Sequence, residues 1–154
     1  QLNMASKLIG IVGPTGTGKS TSIKHLNSQE TYIINVAKKE LPFKGAEKLY
    51  NEDNKNYAEI DRADLVIDKL QKISKNAPHI KNIIIEDSNY LMGFTLLDQI
   101  GIKGFEKFSI MAKEMVELFR TARRLREDLK VFYFTHPETI EDSGEIIGYK
   151  IRLY

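Results

Sequence analysis

The run Gly13-Pro14-Thr15-Gly16-Thr17-Gly18-Lys19-Ser20 has the residue types and the spacing, G-x-x-x-x-G-K-S, that hold a polyphosphate. Backbone N–H groups of such a glycine-rich turn converge on phosphate oxygens, and a helix beginning near Thr21 adds the positive end of its dipole. Lys19 would reach the β- and γ-phosphates, and the Ser20 hydroxyl would hold Mg²⁺. Gly16 and Gly18 let the backbone wrap closely where a Cβ would clash. The expected ligands are ATP and Mg²⁺, with Gly13 to Thr21 forming the nucleotide-binding segment.

Splitting a phosphoanhydride needs more than a cradle: a metal ligand and a group that orients the attacking water. Glu86-Asp87, after the apolar run Ile83-Ile84-Ile85, supplies two adjacent acids at a strand's carboxyl end. Glu86 would contact Mg²⁺ directly or through water, and Asp87 would polarise water; the longer Glu side chain also leaves room for Asp87 to take the metal role. Two acids closing a strand can also be a plain solvent-facing terminus. Thr135-His136 follows another apolar strand, where parallel sheets gather their ligands. His136 could donate a hydrogen bond to the γ-phosphate and sense its loss, or sit in a surface loop before Pro137. Arg120, Arg123, Arg124 and Arg126 lie towards the end of a helical pattern. They would complement the helix dipole, contact phosphodiesters, or reach a neighbouring subunit's nucleotide.

The elements that must position these groups alternate between strand-like and helix-like, the pattern of an α/β domain with a largely parallel sheet. Leu8 to Val12 reads as a buried strand before the glycine-rich turn, and Thr21 to Leu26 as a helix after it. Thr31 to Val36 is a β-branched strand. Asp61 is positioned to cap a helix carrying Leu65, Val66, Leu70 and Ile73 and ending near Asn76-Ala77-Pro78. Asn82 to Glu86 is apolar on both faces and therefore central. Phe108, Met111, Met115, Leu118, Phe119, Ala122 and Leu125 recur three or four apart, which predicts one long helix from about Gly104 to Asp128. Lys130 to Phe134 is a further strand, and Asp142-Ser143-Gly144-Glu145 turns a terminal hairpin.

The 154 residues fit one domain, residues 1–154, able to bury roughly two-thirds of its unfolded surface. Residues 1–6 read as a tail and 37–60 as a flap-like insertion. A net charge of +2 is too small to imply nucleic-acid binding by itself. The lack of cysteine excludes disulfides and thiolate metal sites and fits a cytoplasmic protein. No apolar run approaches the ~20 residues that span a bilayer, and no secretory leader is evident. Lys38, Lys39 and Lys44, with Phe43, Tyr50 and Tyr57, mix phosphate-seeking charge with rings on which unpaired bases can stack.

Taken in order, Gly13 to Ser20, Leu41-Pro42-Phe43-Lys44-Gly45, Ile84 to Met92, Gly104-Phe105-Glu106-Lys107-Phe108 and Phe134 to Glu138 resemble the small phage-type RecA-like P-loop ATPases. These are often described only as AAA-family ATP-binding proteins, and some are associated with single-strand annealing and recombination. The resemblance runs from about Lys7 to Ile151. It implies a RecA-like sheet in which another strand separates the P-loop strand from the Walker B strand, and Lys19, Ser20, Glu86 and Asp87 as working residues. It also implies single-stranded DNA as partner and a homo-oligomer as the working form. The family usually has Asp where Glu86 stands. The alternative from the residues themselves is a nucleotide or small-molecule kinase, since the same loop serves phosphotransferases.

Overall fold

A computed structural model of the chain describes residues 5–13, 21–41, 43–98, 101–135 and 138–150. Five strands form one all-parallel sheet: β1 (Lys7–Val12), β2 (Thr31–Asn35), β3 (Tyr57–Glu59), β4 (Asn82–Glu86) and β5 (Lys130–Thr135). Their spatial order is β1-β5-β4-β2-β3, which puts β4 in the centre and β5 between β1 and β4. A separate antiparallel pair, β6 (Glu138–Asp142) and β7 (Glu145–Lys150), makes the expected hairpin. Its two turn residues, Ser143 and Gly144, take positive φ of 51° and 82°. That pair of conformations suits a two-residue primed turn, whose twist matches the strands.

Alternation along the central strands feeds two cores. Ile34, Ile83, Ile85 and Val131 face helices α2 (Ala63–Asn76) and α4 (Glu106–Ala122). Ile33, Ile84 and Phe134 point to the opposite face, against Ile23 and Tyr50. A strand covered on both sides reads as continuous hydrophobicity, as Ile83-Ile84-Ile85 does. α2 buries Val66, Leu70 and Ile73, and α4 buries Met111, Met115, Leu118 and Ala122. Among the described residues, no helix is long and apolar enough to cross a membrane.

Several elements differ from the sequence expectation. After the glycine-rich loop the described chain is a five-residue 3₁₀ helix, Thr21–His25, rather than an α-helix; Thr, Ser and Ile are indifferent helix formers, and Asn27 and Ser28 follow them. Asp61 does not cap α2. The backbone stays extended through Arg62, the N-cap residue, and the Asp61 carboxylate pairs with Lys38 Nζ at 3.4 Å. Leu65, expected on the apolar face of α2, is exposed. α4 stops at Ala122, short of Asp128, because Ser6 intervenes. Its hydroxyl donates to the Ala122 carbonyl at 2.6 Å and accepts from Leu125 N–H at 3.0 Å. Ser6, in the stretch read as a tail, is thus buried and ends a helix.

Two further helices complete the chain. The segment 37–60 contains a helical turn, α1 (Ala46–Leu49), and β3, the edge strand beside β2. The acid-bearing β4 leads through Asp87 and Ser88 into α3 (Asn89–Asp98), a helix the sequence analysis did not identify.

Candidate functional site

Parallel strands deliver their carboxyl ends to one edge of the sheet, and Gly13, Glu86, Asp87 and Thr135 lie at that edge. β1 ends at Val12, and the next residue, Gly13, donates its N–H to the Thr135 carbonyl at 3.4 Å. The start of the glycine-rich loop is therefore tied to the end of β5. On the other side of β5, β4 ends at Glu86, with Asp87 next in the chain. Both acids are buried, at 6% and 5% exposure. They are not a solvent-facing strand terminus.

The turn carrying Asp87 is held from two sides. Ser88 donates both its N–H (2.9 Å) and its hydroxyl (3.0 Å) to the Phe134 carbonyl, locking the end of β4 to the end of β5. Val36 N–H donates to the Glu86 carbonyl at 3.2 Å from the β2 side. Asp87 itself takes φ of 56°, in the left-handed region that Asp tolerates better than most residues. Backbone in such a region persists where its surroundings over-determine it, which is common at binding sites.

One cation at this edge, Lys39, reads from the sequence only as phosphate-seeking charge beside aromatic rings, not as a neighbour of the acid pair. Lys39 Nζ donates to the Tyr90 hydroxyl at 3.2 Å and lies 4.8 Å from the centre of the same ring. The Tyr90 hydrogen bond first, and then the Asp87 charge, raise the Lys39 pKa above its ordinary value. Lys39 is in turn positioned through its backbone: Asn35 Nδ2, at the end of β2, donates to the Lys39 carbonyl at 2.6 Å and to the Tyr57 hydroxyl at 3.1 Å. The Tyr57 hydroxyl donates to Glu59 Oε1 at 3.0 Å. A polar residue closing the apolar run Thr31 to Ile34 was the available sign of Asn35; no sequence spacing pairs Lys39 with Tyr90.

Beyond Lys39, an open groove of about 1100 Å³ runs over the carboxyl ends of β2 and β3. Lys38, Lys39 and Lys44 line it, but so do Glu40, Glu47, Glu52 and Glu59. Tyr50 is only 2% exposed, and Phe43 packs edge-on against it with ring centres 6.4 Å apart. The Tyr50 ring therefore belongs to the core and offers no face on which a base could stack. Of the four arginines, Arg120 lies in the last turn of α4 and Arg123 caps it. Arg126 reaches away to α2, where its guanidinium donates to the carbonyls of Ser74 (3.1 Å), Ala77 (3.3 Å) and Ile80.

Pro14 to Ser20, the body of the glycine-rich run expected to bind phosphate, and His136 lie outside the described residues. Among the described residues, no three His, Cys, Asp or Glu side chains converge as a metal site. Mg²⁺ is commonly held by one or two carboxylates together with substrate phosphate oxygens rather than by an all-protein cage. The two buried carboxylates, Glu86 and Asp87, are hard oxygen donors of the kind such a cation takes. Comparison of the chain with protein-family profiles and with curated proteins finds no significant match.

Proposed function

We propose that this chain is a Mg²⁺-dependent ATPase of the P-loop class with a RecA-like core. The observation that carries the reading is the strand order β1-β5-β4. It brings the residues that lead into Gly13-to-Ser20 and the buried Glu86-Asp87 pair to one sheet edge with a single strand between them. The loop would bind the triphosphate through backbone N–H groups and Lys19. Ser20 and Glu86 would hold the cation that supplies charge neutralisation at the phosphates, and Asp87 would orient water. Thr135, buried at the end of β5, stands between the two halves. Coupling to single-stranded DNA and assembly into a homo-oligomer rest on the family resemblance; the four glutamates of the groove work against a phosphodiester there.

The groove favours a second reading. Its open volume starts at Lys39, beside the acid pair, where a phosphotransferase would need to seat an acceptor. Phosphate release measured with and without single-stranded DNA, beside a panel of nucleoside acceptors, separates the two. The ATPase reading expects inorganic phosphate without an acceptor; transfer to a nucleoside with negligible free phosphate supports the kinase. Lys19→Ala should abolish nucleotide affinity in calorimetry while the ligand-free thermal midpoint stays near wild type. Unchanged affinity in that variant overturns both readings.

A further inference from the structure

Two residues in the left-handed region follow neighbouring strands: Lys38 after β2 and Asp87 after β4, each with φ of 56°. Lysine has no side-chain chemistry that favours this conformation, and such backbone persists where its surroundings over-determine it. The chain around Lys38 is held on both sides. Before it, Val36 N–H donates to the Glu86 carbonyl at 3.2 Å; after it, Asn35 Nδ2 donates to the Lys39 carbonyl at 2.6 Å. The next side chain, Lys39, thereby reaches Tyr90 in the first turn of α3, 3.2 Å from its hydroxyl and 4.8 Å from its ring centre. The two adjacent cations differ in their partners. Lys38 pairs with the Asp61 carboxylate, whereas the Lys39 ammonium forms no ion pair among the described residues. A phenol hydroxyl takes one of the three ammonium donors and offsets none of its charge. The ammonium stays protonated, because the Tyr90 hydrogen bond and then the Asp87 charge raise its pKa.

We propose that Lys39 is the residue that distinguishes a triphosphate from a diphosphate, its ammonium meeting the terminal phosphoryl group from the groove side of Asp87. The inference rests on the nucleotide reading above. Under that reading the cation and the water served by Glu86 and Asp87 lie at the terminal phosphoryl. Lys39 stands beside those acids on the β2 side, away from β5 and the glycine-rich run. Phosphoryl transfer spreads negative charge over the oxygens of that group, and a positioned cation stabilises it. An ammonium resting on a neutral phenol can turn to phosphate oxygens without breaking an ion pair. The charge-assisted hydrogen bond it would gain is roughly twice as strong as a neutral one. Tyr90 is a positioning residue in this scheme, acting only through Lys39.

Calorimetry with β,γ-imido-ATP and with ADP, each with Mg²⁺, reads the contact at equilibrium and without turnover. Lys39→Gln keeps much of the stem and removes the charge. We expect it to weaken triphosphate binding roughly tenfold and ADP binding by less than about twofold. Because Lys39 is exposed, the ligand-free thermal midpoint should stay near wild type. Lys39→Arg retains the charge and should keep most of the ratio between the two affinities. Tyr90→Phe should lower that ratio by less than Lys39→Gln does, and the double variant should match Lys39→Gln alone. Lys38→Gln removes an equal charge one residue away and should leave the ratio as in the wild type. An unchanged ratio in Lys39→Gln, equal loss of both nucleotides, or the same fall in Lys38→Gln overturns the proposal while the nucleotide reading stands. If Lys39→Gln does not fold, Tyr90→Phe decides, and a wild-type ratio there overturns the proposal. Failure of the wild-type chain to bind either nucleotide removes the nucleotide reading and this inference with it.

Discussion

Replacing Arg126 by methionine should destabilise the fold and leave ligand chemistry untouched. The substitution keeps most of the aliphatic stem and removes the guanidinium. Three backbone carbonyls lose their donor: Ser74 and Ala77 at the carboxyl end of α2, and Ile80 just beyond. Helix carboxyl ends leave carbonyls unpaired and carry negative dipole, so a cation there acts twice. A charged hydrogen bond contributes about 1.5–3 kcal/mol when well shielded. The Arg126 side chain is 24% exposed and its partner Asp128 is 43% exposed, so that ion pair adds little. Discounting for exposure leaves a loss of about 3 kcal/mol for the three carbonyls together. In a chain of this length that corresponds to roughly 6–12 °C in thermal midpoint. Circular dichroism melts at pH 7 measure it, with Arg124→Met as the exposed control, expected to change stability by less than about 0.5 kcal/mol. A wild-type midpoint for Arg126→Met, accompanied by lost nucleotide turnover or DNA binding, would refute the clamp and return the arginine to a ligand contact.

Other outcomes follow from single contacts. Gly10 sits opposite Tyr133 in the β1–β5 register, and a Cβ there would fall inside the tyrosine ring and hydroxyl; Gly10→Ala should cost about 1–3 kcal/mol in denaturant melts, and combination with Tyr133→Leu should cost less than the sum. Lys81, then Arg126, hold the Asp128 carboxyl at about 2, below its ordinary 3.8. A depressed acid stabilises the fold above its unfolded value, so this contribution should fade as pH drops from about 4 to about 2. It should be weaker in high salt and missing from Asp128→Asn. Glu86→Gln and Asp87→Asn should retain ATP affinity and lose turnover, Glu86 shifting the Mg²⁺ dependence and Asp87 slowing the chemistry; wild-type hydrolysis by either variant removes that residue from the site.

The sheet was legible where hydrophobicity itself carried the periodicity. Asn82 to Glu86 matches its expected span, and the strands from Thr31 and from Lys130 end within one residue of theirs, because two-sided burial leaves a nearly unbroken apolar run. α3 was not legible for the opposite reason. Asn89 to Asp98 is apolar nearly all round, contains Gly93, and shows no helical stripe to separate it from a strand or loop. β3 has three residues and exists because β2 offers it an edge, which no local pattern encodes. At the site, adjacency in sequence found Glu86 and Asp87, and a strand end found Thr135. The pairing of Lys39 with Tyr90 was not legible because the two lie 51 residues apart and meet only through the fold.

The position of β5 also has a consequence for the order in which the chain can assemble. Lys7 pairs with Lys130, and Ile83 with Val131, so the first strand has no seat until the fifth exists. During synthesis, β2, β3 and β4 can zip together from neighbouring segments while β1 waits, since long-range pairing forms late when loop closure opposes it. β1, which leads into the glycine-rich run, is therefore translated early and seated late. A nascent chain interrupted before Lys130 would carry the whole Gly13-to-Ser20 run and both acids, yet lack the strand that joins β1 to β4.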